Sequence, residues 1–85
     1  MTVVQRAAAQ VLEQHAKVIE QTLEKLVTRW PIDEMTLVVF PMGTALAKHA
    51  IRHVATGLDM YAIETTVDDS GIHTRGWVPE GGRLD

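Results

Sequence analysis

Apolar residues in the first third of the chain recur at steps of three and four: Val4, Ala8, Val11, Leu12, Ile19, Leu23, Leu26 and Trp30. Arg6, Gln10, Glu13, Lys17, Glu20, Glu24 and Thr28 fall on the opposite side. This period predicts one long amphipathic helix from about Val3 to Arg29. Thr2 and Gln5 fit a capping box at its start, and Glu13 and Lys17 are spaced for an ion pair one turn apart. Pro31 ends it, because the residue before a proline is pushed out of the helical region.

Beyond Ile32-Asp33-Glu34 the pattern changes. Thr36 to Phe40 is a near-continuous apolar run rich in β-branched residues, which predicts a buried strand. Pro41-Met42-Gly43 reads as a turn. Ala45 to Thr56 reads as a second helix, capped by Gly43 or Thr44 and closed by Gly57 in a left-handed conformation. The last part predicts a hairpin, with strands Leu58–Val67 and Ile72–Val78 joined through Asp68-Asp69-Ser70-Gly71. A register that sets Val67 against Ile72, Thr65 against Thr74 and Tyr61 against Val78 gathers one surface. It leaves Glu64 opposite Arg75 and Thr66 opposite His73 on the other, separating apolar from polar and pairing opposite charges.

The element order is therefore α-β-α-β-β. A right-handed βαβ crossover makes the first two strands parallel, so the expected fold is α+β: a three-stranded mixed sheet with two helices packed on one face. Residues 1–79 read as one domain and 80–85 as a flexible tail. A helix of about 27 residues would be about 40 Å long at 1.5 Å per residue, and should overhang strands of about 20 Å. Its apolar stripe runs the whole way. The economical expectation is association through this helix, as a homodimer or as a subunit of a larger complex, with Val4, Ala8, Val11, Leu12, His15 and Ile19 at the interface. His15, inside the apolar arc, would make that seam sensitive to pH.

Composition narrows the class. The chain has 85 residues, 46% hydrophobic and 22% charged, which is ordinary for a globular domain. It has no cysteine, so thiolate metal sites and thiol nucleophiles are excluded and a reducing cytoplasm is the expected location. No apolar run reaches the length of a membrane span, and no membrane partner is expected. A net charge of −3 argues against a generally basic nucleic-acid binder.

The candidate chemistry is sparse. On the expected second helix, Lys48, His49, Arg52, His53 and Thr56 form an exposed face with no acid on it, suited to an anion or an acidic partner. Thr44 lies in the turn before it, where backbone amides at a helix start could bind an anion. His49 and His53 are also the weak candidates for a metal, being one turn apart, with His73 as a possible third ligand. No cofactor is implied, and no serine or threonine has a recognisable nucleophile context. The leading expectation is a non-enzymatic protein–protein interaction or regulatory module, dimeric through the first helix. A phage or mobile element could encode such a protein to block a host factor. The alternatives are a nucleic-acid or nucleotide binder using the basic face around Lys48 and Arg52, and a small metalloprotein or enzyme using His49 and His53.

Overall fold

The computed structural model describes residues 2–41, 43 and 45–79, without the side chain of Val4. The expected turn and cap residues Met42 and Thr44, and the tail 80–85, lie outside the described residues. A helix α1 (Val3–Leu26) is followed by a short 3-10 turn (Ile32–Glu34) and four strands: β1 (Met35–Val39), β2 (Ala47–His53), β3 (Asp59–Asp68) and β4 (Gly71–Trp77). The strands form one antiparallel meander in the order β1-β2-β3-β4.

The capping box forms at the start of α1. The Gln5 N–H donates to Thr2 Oγ1 at 3.1 Å, and the Thr2 N–H donates to Gln5 Oε1 at 2.8 Å. The helix ends at Leu26, one turn before Pro31. Leu26 and Ile19, fully or almost fully buried, meet Ile51, Met60 and Ile63 of the sheet to make the core, with Trp30, Met35 and Tyr61 packed around it. Gly76 of β4 has no side chain because the Tyr61 hydroxyl occupies the space a Cβ would need.

The expected second helix is not present. Ala47–His53 is a central strand, antiparallel to both β1 and β3, so the sheet has four strands rather than three and the parallel crossover is absent. Two periods fit this segment. Its alanines and apolar residues fit a helical stripe, but His49, Ile51 and His53 also alternate with Lys48, Ala50 and Arg52. The two-residue period prevails because the histidines are interior residues, whereas a helical stripe assigns them to solvent. Tertiary pairing on both sides then overrides the helical preference of alanine. Gly57 does adopt a left-handed conformation, at φ 70°, but in the β2–β3 turn, where its N–H donates to the His53 carbonyl.

The C-terminal hairpin has the expected register. Val67 faces Ile72, Thr65 faces Thr74, Glu64 faces Arg75 and Thr66 faces His73; pairing ends at Ala62 and Trp77, before the expected Tyr61–Val78 pair.

Strand and helix make opposite demands at Ile51 and Val54, which a helix would bury together. In the sheet Ile51 is 2% exposed and Val54 is 59% exposed. Ile51→Ala is expected to cost about 2–5 kcal/mol in urea unfolding, and Val54→Ala less than about 0.5 kcal/mol. Two comparable losses would contradict the strand.

Candidate functional site

Strand alternation divides the residues that sequence reasoning had gathered on one helical face. His49 and His53 point toward α1 and are buried, whereas Lys48 and Arg52 lie on the opposite side of the sheet. Four residues of strand span about 13 Å, so His49 and His53 do not share a metal. His53 is held locally: its Nδ1 is 2.9 Å from Thr56 Oγ1, and its ring packs 4.9 Å from that of Trp30. No group of three potential metal ligands occurs among the described residues. The anion site expected at the Gly43–Thr44 turn loses its premise, because a strand follows the turn instead of a helix.

His49 has a different partner. Its Nδ1 lies 2.8 Å from Nδ1 of His15, which reaches down from α1 and is completely buried. His15 Nε2 is 2.7 Å from Thr65 Oγ1, and Thr65 Oγ1 is 2.7 Å from Thr74 Oγ1. The Thr74 hydroxyl donates to Gln14 Oε1 at 3.5 Å, a weak closing contact. With that donor fixed, every contact holds one proton only if Thr65 donates to Thr74, His15 Nε2–H donates to Thr65, and His49 Nδ1–H donates to His15 Nδ1. His15 is then neutral, with its one proton on Nε2. A second proton on His15, at Nδ1, would face the His49 Nδ1–H unless His49 moved its own proton to Nε2.

Burial is the main reason that both rings resist protonation. It pushes the His15 and His49 pKa values below 6.5, and the neighbouring His49 lowers that of His15 further. The chain clamps the middle of α1 onto β2, β3 and β4. It is a neutral polar strut within an apolar core.

His15 is therefore not at an exposed seam. The rest of the expected interface is divided: Val11 and Ile19 are buried against the sheet, Ala8 is half-buried, Leu12 is exposed, and the Val4 side chain lies outside the described residues. The exposed apolar surface of α1 is the flank beside this buried row. There Ala16, Ile19, Leu23 and Val27, with Ile32 and the two acids Glu20 and Glu24, wall an open groove of about 500 Å³. A smaller hollow of about 90 Å³ continues from it between Ile19, Leu23, Met35, Leu37 and Ile51. Leu37 and Val39 extend this surface along β1. They pair with Ile51 and His49 and share the helix-facing side of the sheet, yet are 51% and 66% exposed. Sequence periodicity located the excess apolar surface on the helix but missed its β1 half, because Thr36–Phe40 read as a buried strand.

Asp68, Ser70 and His73 meet at the β3–β4 turn. Ser70 Oγ is 2.6 Å from Asp68 Oδ1 and 2.8 Å from His73 Nε2, and that same Nε2 is 3.2 Å from Asp68 Oδ1. A catalytic triad needs the acid and the hydroxyl on opposite ring nitrogens. Here they share one, at an exposed turn where Ser70 hydrogen bonds hold the Asp68 carboxyl below its usual range, so the cluster fixes the turn.

No described helix is long and apolar enough to cross a membrane. No family model, curated protein or solved structure matches the chain.

The histidine strut predicts how stability depends on pH. The unfolded chain takes up protons near pH 6.5, whereas the folded chain takes them up only at lower pH. The contribution of the neutral pair is complete above pH 6.5 and is lost as pH falls below it, by up to about 1.4 kcal/mol per pH unit for each histidine. Urea midpoints should fall between pH 7.5 and pH 5, and fall less in His49→Gln. A flat profile over that range would contradict the neutral pair.

Proposed function

We propose that the protein is an interaction module that works as a homodimer, with α1 of each copy covering the β1 side of the other. The observation that carries this reading is the apolar trough between α1 and β1, where Val27, Ile32, Leu37 and Val39 are each 44–66% exposed on adjoining elements. Covering them contributes on the order of 1 kcal/mol per half-exposed side chain in each copy.

The two sheet edges differ in a way that favours β1 as the seam. Edge strands normally carry charges, glycines or bulges that discourage pairing with another chain. β4 has His73, Arg75 and Gly76, but β1 reads Met-Thr-Leu-Val-Val, without a charge, a glycine or a proline. A two-fold axis beside β1 would pair the two β1 strands and bring the two helices together over their inner faces, a self-complementary arrangement. An interaction role also suits the interior histidines. Neither groove reaches His15 or His49, so substrate has no approach to them through either.

Sedimentation equilibrium in the high micromolar range should return twice the chain mass. Leu37→Asp and Val27→Asp are both at exposed positions and should keep the helix and sheet signals in circular dichroism. Each should weaken the dimer about 100-fold, because an unpaired carboxylate would be buried at the seam. A single-chain mass for the parent protein at that concentration would contradict the proposal.

A further inference from the structure

The side of the sheet turned away from α1 carries a different surface. The register aligns Val38, Ala50, Ala62 and Trp77 in one row across all four strands. The next row sets Lys48, Glu64 and Arg75 side by side, with Phe40 at its β1 end, where its N–H donates to the Lys48 carbonyl. Ala50 and Ala62 make a low floor, and Phe40 and Trp77 stand on either side of it, each half-buried. Cations lie against both rings: Lys48 Nζ is 4.8 Å from the centre of Phe40 and 5.7 Å from that of Trp77, and the Arg75 guanidinium is 4.5 Å from Trp77.

We infer that this outer face is a binding site for single-stranded nucleic acid, with bases stacking on Phe40 and Trp77 and phosphates held by Lys48 and Arg75. Base stacking needs aromatic faces set apart on a rigid platform, and backbone recognition needs cations beside them. The sheet supplies both from residues far apart in sequence. Charge complementarity favours a polyanion. Glu64 is the one acid on these two rows and holds Arg75 only loosely, at 3.7 Å; elsewhere on the same face Asp59 is paired with Arg52 at 2.6 Å and Asp68 with His73 at 3.2 Å. The Arg75 side chain is 72% exposed and that of Glu64 19%, so a phosphate can reach Arg75 from solvent with Glu64 left in place beneath it. A phosphate drawing Lys48 and Arg75 outward also frees the ring faces they cover. An acidic peptide would satisfy the cations but leave the rings without stacking partners.

Phe40 directly follows β1, the strand proposed as the dimer seam, whereas Arg75 and Trp77 lie at the far, β4 edge of the sheet, so substitutions there test the site without touching the seam. The test is fluorescence anisotropy of a labelled oligothymidylate with the full chain, alongside a duplex of equal length and a polyglutamate competitor. With two phosphate contacts, raising salt from about 50 to about 200 mM should weaken binding about 7-fold. Lys48→Gln and Arg75→Gln should each weaken binding and lower the logarithmic salt slope by about 0.7. Trp77→Ala should weaken it about 10-fold and leave the slope unchanged. The duplex should bind less tightly than the single strand. Absence of binding at low salt, insensitivity to all three substitutions, or equal competition by polyglutamate would overturn the inference.

Discussion

An α-helix with its side chains is about 10 Å wide, and paired strands lie about 4.8 Å apart. One helix therefore roofs about two strands, and this chain has one helix for four. α1 lies over the middle of the sheet, where Ile19 and Leu26 meet Ile51 and Ile63 and His15 meets His49 and Thr65, while β1 is left with Leu37 and Val39 open. The rest of the molecule follows from that shortage of cover. Its core is narrow and its outline elongated, at 40 × 23 × 19 Å, with a radius of gyration of 13.7 Å against about 12 Å for a compact chain of this length.

The histidine strut answers a related problem. Along the N-terminal half of the contact, next to the buried Val11, α1 meets β2 and β3 through His15, His49 and Thr65. A polar contact at that depth is stable only when every donor and acceptor is matched, and no buried side-chain nitrogen or oxygen among the described residues lacks a partner. Matching also fixes the helix. A rotation of α1 would separate His15 from both of its partners, whereas an aliphatic stripe tolerates small rotations. The strut thus contributes positioning of α1, and with it the shape of the trough on its flank.

How far the sequence could be read depended on the range over which each signal acts. The first helix, its capping box and the hairpin register are local and were legible: Thr2 with Gln5, and Glu64 opposite Arg75, need no knowledge of the rest of the chain. The nature of Ala47–His53 was not local. Histidine reads locally as a solvent residue there, and the polar partner that makes His49 an interior residue lies 34 positions away on α1. Reading that segment as a helix placed Lys48, His49, Arg52 and His53 on one face, and the strand separates them into an interior pair and an exterior pair. The outer face is non-local for the same reason: Phe40, Lys48, Arg75 and Trp77 become neighbours only in a four-stranded meander. Excess apolar surface on the helix was legible, but its main cause was not. Helix length exceeds strand length as expected, since α1 at 24 residues is about 36 Å long, but only narrowly over β3, which at 10 residues is about 33 Å long. The larger shortfall is in width.

If a second copy supplies the missing cover, the methyl groups of Leu37 and Val39 must touch a helix that is not their own. Isotope-filtered nuclear Overhauser spectroscopy on a mixture of labelled and unlabelled chains reads that contact directly. The account predicts cross-peaks between the Leu37 and Val39 methyls of one chain and the Leu12, Leu23 or Val27 methyls of the other. Cross-peaks confined to a single chain, with the Leu37 and Val39 methyls facing water at high micromolar concentration, would contradict it.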